Sequence, residues 1–342
     1  MSAERLKTPL PLARVGLKEI PTMAKVLMCP SELLSQDLSG RTYVVTGGNS
    51  CIGFETVQQL ARQGARVILA CRRVTEGEKA KASILASGVR GTIEIRELDL
   101  ARLDSVRGFA KKTLEADKII HGLVNNAGIM NTPEGKTRDG FELQFGTNHL
   151  GHYLLTELLI PALKNGAPSR IVNVSSCFHD KAFGREGRID FQDLNFERKK
   201  YDGWEAYAQS KLANLLHAKH LAKRLQGTGI TTASVHPGWV RSNLIKFSMP
   251  LWMQNTVLRP ILKLAGMIEP WEGAQSTFFA MLSPEVPAQS GAYFSQIGIY
   301  RTKKAGNGGW PLQSPNPNAQ DENSAERLDS VSRKLVGLQM PS

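Results

Sequence analysis

Apolar and polar positions along the chain fall into two alternating patterns. Short runs rich in Val and Ile, several bounded by glycine, occupy Arg41 to Thr46, Ala65 to Cys71, Thr92 to Leu98, Ile119 to Asn125, Arg170 to Ser175, Thr231 to His236 and Ala292 to Ser295. Their length and β-branched content predict strands. Between most of them lie longer stretches with apolar residues at helical spacing, such as Ile52 to Gln63, which ends at Gly64, and Leu103 to Ala116. These predict amphipathic helices. The alternation predicts an α/β fold in one domain over about 38–305, a doubly wound and mostly parallel sheet of seven strands with helices on both faces. Ligands are then expected at the carboxyl ends of the strands, near the reversal in strand order.

The flanks read differently. Residues 1–37 hold Pro9, Pro11, Pro21 and Pro30, and five basic side chains, Arg5, Lys7, Arg14, Lys18 and Lys25, against Glu4, Glu19, Glu32 and Asp37. A loosely ordered basic arm is expected there, with an organellar targeting segment as the alternative. No stretch is long and apolar enough to predict a transmembrane helix. At the other end, over 306–342, a Gly/Pro/Asn-rich loop from Gly306 to Asp321 precedes Ala325 to Leu338. Leu328, Val331, Leu335 and Val336 share one face there, which predicts a closing helix docked on the body.

The 342 residues, 41% of them hydrophobic, suffice for one large core. Cys29, Cys51, Cys71 and Cys177 show neither paired nor zinc-like spacing, so an intracellular, reducing compartment is expected, cytoplasmic or organellar. The net charge of +12 admits nucleic acid, an anionic membrane or an anionic cofactor. No basic block exceeds two or three residues and aromatics are not interleaved with them, so no nucleic-acid partner is expected. Peripheral membrane contact stays open.

Two Tyr/Lys pairs four residues apart could put a phenol and an ammonium on one helix face: Tyr207/Lys211 and Tyr300/Lys304. An adjacent cation favours the phenolate and makes tyrosine usable as an acid/base. Tyr207 opens a run of helix formers reaching about Leu225, with an apolar stripe through Leu212, Leu215, Leu216, Ala218 and Leu221. Tyr300 borders a Gly-Asn-Gly-Gly loop and reads as a surface tyrosine. The first strand ends in Thr46-Gly-Gly-Asn-Ser-Cys-Ile-Gly53 before a helix, a turn that lets backbone approach a pyrophosphate at a helix N-terminus. After the second strand, Arg72 stands where an acidic residue would meet a free ribose 2′-hydroxyl. Arginine suits a 2′-phosphate, which favours NADP(H) over NAD(H).

Taken together these residues resemble the short-chain dehydrogenase/reductase family, and within it the retinol dehydrogenase-like subgroup, over about residues 38–340. The markers, in chain order, are the Thr46 to Gly53 turn, Asp99-Leu100, Asn125-Asn-Ala-Gly128, Asn148 in Thr-Asn-His-Leu-Gly, Ser175-Ser176, Tyr207/Lys211 and His236-Pro-Gly238. The resemblance implies a Rossmann fold. It also implies that Tyr207 exchanges a proton with the substrate oxygen, Lys211 bonds the nicotinamide ribose and depresses the phenol pKa, and Ser176 holds the oxygen. Asn148 would bend its helix and hold a water. Cofactor contacts would come from Thr46, Gly47, Asn49, Ser50, Cys51, Ile52 and Gly53, from Asp99 and Leu100 at the adenine, and from Asn126, Ala127 and Gly128 along the ribose. Pro237, Gly238, Val240 and Ser242 would lie near the nicotinamide.

Two departures stand out. Cys51 occupies the position of the middle turn glycine, so either a modest backbone shift accommodates it or its thiol becomes a redox-sensitive gate on cofactor binding. Thirty residues separate Ser176 from Tyr207, a length the subgroup shares, and His179, Phe183, Phe191, Leu194, Phe196 and Trp204 could wall a pocket. Opposite, 239–268 reads as a lid carrying Phe247, Met249, Leu251, Trp252, Met253, Leu258, Ile261 and Leu262, which points to a small apolar substrate such as a retinoid, steroid or lipid carbonyl. His149/His152 and His217/His220 lack a third ligand and read as surface or satisfied histidines, so no metal is expected. The expectation is an NADP(H)-dependent oxidoreductase interconverting carbonyl and alcohol, monomeric or homodimeric. The alternatives are a protochlorophyllide-reductase-like ring reductase, a catalytically weak NADP(H)-sensing binding protein and a membrane-attached structural role.

Overall fold

All seven apolar runs enter one sheet, as β1 (Thr42–Thr46), β2 (Arg66–Cys71), β3 (Thr92–Glu97), β4 (Gly122–Asn125), β5 (Ser169–Val174), β6 (Ile230–His236) and β7 (Tyr293–Ser295). The computed structural model describes residues 25–241, 262–263 and 266–339. Strand order is β3-β2-β1-β4-β5-β6-β7, with every neighbouring pair parallel. The order reverses between β1 and β4, so the switch-point crevice opens at their carboxyl ends. The fourth run is shorter than expected. It pairs only from Gly122, and Ile119 before it is half exposed.

Side-chain alternation divides the sheet between two cores. Val44 and Ile68 face α3 (Leu103–Ala116), α4 (Gly151–Asn165) and α5 (Gly203–Arg224). Tyr43, Val45, Val67 and Leu69 face α1 (Cys51–Arg62), α2 (Val74–Ala86) and α6 (Pro270–Leu282). The closing helix α7 runs Glu322–Leu335, a few residues earlier than its apolar pattern implies. Asp321 sets this start, its carboxylate accepting the Asn323 amide at 3.0 Å as an N-cap.

The docking of α7 is more polar than its stripe predicts. Arg333 meets Glu157 at 2.5 Å with both side chains 8% exposed, Tyr153 donates to Asp329 at 2.8 Å, and His149 meets Ser332 at 2.8 Å. Tyr300 is also not a surface residue. Its hydroxyl lies 2.7 Å from that of Tyr293 and 2.6 Å from that of Ser295, anchoring the segment after β7. Among the described residues no helix is long and apolar enough to cross a membrane.

Candidate active site

The crevice is built from the ends of β1, β4, β5 and β6. After β1 the chain turns through Gly47 (φ +64°), where a Cβ would come within 3.1 Å of Ala127, and enters α1. Gly53 in the first turn of α1 has no room for a side chain, since a Cβ would sit 2.3 Å from the Gly47 carbonyl. Ser50 is exposed and gives α1 no side-chain cap, and no acidic residue stands in the first turn. Such a helix start suits a pyrophosphate. Asn49, Cys51 and Ile52 line the turn half-buried.

Cys51 adopts φ +50°, the left-handed conformation that glycine takes freely, and its Sγ lies 3.7 Å from the Arg241 carbonyl. The backbone has therefore kept a glycine-type turn around the cysteine. Arg72 and Arg73 are exposed at the end of β2 and form no ion pair among the described residues. Asp99 is half-buried, its carboxylate accepting the Ala101 amide at 3.1 Å, while Leu100 packs into the core.

Thr46 is completely buried, so it supports the turn from beneath. Its hydroxyl accepts the Asn126 and Ala127 amides at 2.9 Å each, and Asn126 Nδ2 donates to the Thr46 carbonyl at 2.7 Å. Gly128, two residues on, lies where a Cβ would be 3.4 Å from Asn148 Oδ1 and 3.5 Å from Lys211 Nζ. On the far side, Pro237 and Val240 are buried and Gly238 (φ +88°) turns the chain. Trp239–Val240 pairs in parallel with Met267–Ile268. Gly273 brings α6 against Val240, Pro237 and Ile52 together. Ser242 and most of the expected lid, including Phe247 to Ile261, lie outside the described residues.

Asn148 lies in a π-helical turn, Gly146–Leu150, that leads into α4. The widened turn aims its amide at the loop after β4: Oδ1 accepts the Ile129 amide at 2.9 Å, and Nδ2 donates to the Ile129 carbonyl at 2.9 Å and to Ser210 Oγ at 3.0 Å. Ser175 and Ser176 diverge as strand neighbours do. Ser175 donates to the Lys211 carbonyl at 2.7 Å, whereas Ser176 caps the turn Cys177–His179 with its hydroxyl on the side of the Tyr207 phenol, whose charged form it favours.

Asp202 caps α5, accepting the Trp204 and Glu205 amides. Tyr207 (3% exposed) and Lys211 follow on one face, with Lys211 Nζ 5.5 Å from the Tyr207 ring centre and donating to the Val174 carbonyl at 3.0 Å. Burial pushes the Tyr207 phenol up, only partly offset by the Ser176 hydroxyl, and pulls Lys211 down to about 8. The net direction for Tyr207 is thus opposite to the depression expected from lysine alone. Exclusion of water outweighs an ammonium whose own charge burial disfavours.

The aromatic wall differs in membership from the expected one. Phe178 stands edge-on to Tyr207 (6.2 Å) and to Trp204 (5.4 Å), and Phe183 stacks obliquely on Trp204 at 4.7 Å. Met130 packs against the same cluster. His179 is turned away to Ser314, Phe191 and Leu194 join the core, and Phe196 packs on Tyr201. Phe178 and Met130 escaped the sequence reading, although each sits two residues beyond a marker, Ser176 and Gly128.

Of the two histidine pairs, His149, His152 and His217 are at most 3% exposed, and His220 is half-buried and meets Asp329 at 3.5 Å. Among the described residues no three His, Cys, Asp or Glu side chains gather as metal ligands.

Against known proteins, the family model for short chain dehydrogenases matches residues 41–249. The chain belongs to the short-chain dehydrogenase/reductase family. Within this family it is retinol dehydrogenase-like: it is 44% identical to retinol dehydrogenase 12 of Bos taurus, covering 88% of each chain. It is 42% identical to retinol dehydrogenase 13 of Homo sapiens, covering 92% of this chain and 89% of that one. Among solved structures, an uncharacterized protein from Mycobacterium paratuberculosis superposes with a TM-score of 0.68 at 35% identity, covering 90% of this chain and 97% of that one. The protein is therefore an oxidoreductase of the family that acts on alcohol and carbonyl groups with a nicotinamide cofactor.

Proposed function

We propose that this dehydrogenase interconverts a carbonyl and an alcohol on a small apolar molecule, using NADP(H), with Tyr207 as acid/base. The observation that carries the reading is the convergence of Ser176, Tyr207 and Lys211 at the carboxyl end of β5, beside the turn that fits a dinucleotide. The nicotinamide, when bound, exchanges hydride with the substrate carbon. Ser176 fixes the substrate oxygen by a hydrogen bond. Tyr207, protonated at neutral pH because burial raises its pKa, gives its proton to that oxygen in reduction and recovers it in oxidation. Lys211 supplies positive charge and a hydrogen bond to the ribose, and Asn148 anchors the loop after β4 against α5.

Two features support the finer assignments. Exposed Arg72 and Arg73 at the end of β2, without carboxylate partners among the described residues, favour a 2′-phosphate. The Phe178, Phe183 and Trp204 wall leading to Tyr207 favours an apolar substrate. Fluorescence titration with NADPH and NADH, followed by a screen of aldehydes and ketones, tests both. NADPH should bind at least about tenfold more tightly, a difference of about 1.4 kcal/mol, and Arg72→Glu should remove that margin. Equal affinities in the wild type would reject the cofactor assignment.

A further inference from the structure

His152 joins two halves of the site that the roles above leave unconnected. It is 2% exposed, one turn after Asn148. Its Nδ1 lies 2.9 Å from the Asn148 carbonyl, which can only accept, so Nδ1 carries the hydrogen. Burial keeps the ring neutral, with a pKa pulled down to about 4, and that leaves Nε2 bare. The Thr46 hydroxyl, 2.9 Å from Nε2, therefore donates to it, in preference to the Val124 carbonyl at 3.3 Å. With its hydrogen so directed, Thr46 Oγ1 presents its lone pairs to the Asn126 and Ala127 amides.

From Asn148 the connection runs the other way. Its Nδ2 bonds Ser210 Oγ at 3.0 Å, and Ser210 donates to the carbonyl of Tyr207 at 2.8 Å. A continuous hydrogen-bonded path thus leads from the backbone of the acid/base tyrosine, through Ser210, Asn148, His152 and Thr46, to the amides after β4. Every link is directional, and only one imidazole tautomer satisfies all of them.

We propose that His152, as the neutral Nδ1–H tautomer, is a positioning residue that sets the spacing between the acid/base helix and the cofactor turn. It touches neither substrate nor cofactor. Its kinetic effect rests on the function proposed above, but its tautomer does not.

Nitrogen-15 NMR of the histidine-labelled full chain, with the His152 signals assigned by their loss in His152→Gln, should show protonated Nδ1 and unprotonated Nε2. An Nε2–H tautomer, or an imidazolium at pH 7, would overturn the proposal. In kinetics on the NADPH-loaded enzyme, His152→Leu should lower kcat about ten- to a hundredfold, since small misplacements of reacting groups have effects of that size, with little change in carbonyl KM. His152→Gln, which can place an acceptor toward Thr46, should recover most of the loss. A folded His152→Leu enzyme with wild-type kcat, or a Gln variant no better than Leu, contradicts the idea. If His152→Leu does not fold, His152→Asn takes its place: its shorter amide does not reach the Thr46 hydroxyl, so it should show the loss of kcat that His152→Gln recovers, and an Asn variant with wild-type kcat contradicts the idea. A wild type inactive on every carbonyl would reject the proposed function while leaving the tautomer measurement decisive for the link.

Discussion

Cys51 holds a backbone conformation that costs an L-residue about 1–2 kcal/mol, at a turn where the chain passes from β1 into α1. Replacing it with glycine removes that strain but adds about 0.5–1 kcal/mol of unfolded-chain entropy. Cys51→Gly should therefore stabilise the fold by about 0.5–1 kcal/mol in urea unfolding, and Cys51→Val, β-branched at positive φ, should destabilise it. A glycine variant less stable than the wild type would show that the Sγ contact with the Arg241 carbonyl outweighs the strain. At this scale the sequence was informative about identity and poor on environment. The pairing of Tyr207 with Lys211 follows from spacing, and Ser176 from the family pattern that the markers resemble. The upward direction of the Tyr207 pKa follows from burial beneath Phe178, Trp204 and Met130, which no local pattern encodes.

The element that most alters the picture of the substrate side is a small hairpin, Lys181–Ala182 against Arg185–Glu186, turning through Phe183 (φ +47°) and Gly184 (φ +91°). Positive φ at both turn positions is the two-residue hairpin geometry that matches strand twist. It is fastened to the acid/base helix by Arg185 on Asp202 at 2.6 Å, and to the segment after β7 by Arg301 on Asp180 and Glu186. The Phe183 ring is 63% exposed although it lies against Phe178 and Trp204, as an aromatic at a pocket mouth would. Covering part of that ring is worth about 1 kcal/mol. Phe183→Ala should thus lower kcat/KM for a long-chain aldehyde about fivefold and leave acetaldehyde unaffected. Equal losses on both would place Phe183 outside the substrate path. The hairpin was hidden in the sequence because its partners, Asp202 and Arg301, are distant in the chain and its strands are two residues each. The seven main strands were legible since each carries its own Val- and Ile-rich run, and α3 was legible from its periodicity at both ends.

Across the whole molecule, all seven histidines are held below the ordinary imidazole pKa by burial, and His149, His152, His179, His217 and His236 are at most 3% exposed. The unfolded chain binds protons at these five near pH 6.5 while the native state does not, so native stability falls as pH drops below that value. The slope is about 1.4 kcal/mol per pH unit for each such histidine. Unfolding at pH 5 should take up about five protons, read from the pH dependence of urea-unfolding free energy between pH 7 and 5. A flat profile would mean that the histidines are solvated. Two of the five stand on α4 and α5, and a third, His149, lies in the turn leading into α4 and meets Ser332 of α7, so the outer layer is where acid should act first. Proton transfer at Tyr207 is the step on which the proposed function rests. Stopped-flow NADPH oxidation with an apolar aldehyde, comparing the wild type with Tyr207→Phe alongside the NADPH dissociation constant of each, tests it most directly. Turnover should fall by about three orders of magnitude or more with NADPH affinity within about threefold, since general acid catalysis contributes roughly 10²–10⁴. A phenylalanine variant that reduces the aldehyde at the wild-type rate would contradict it.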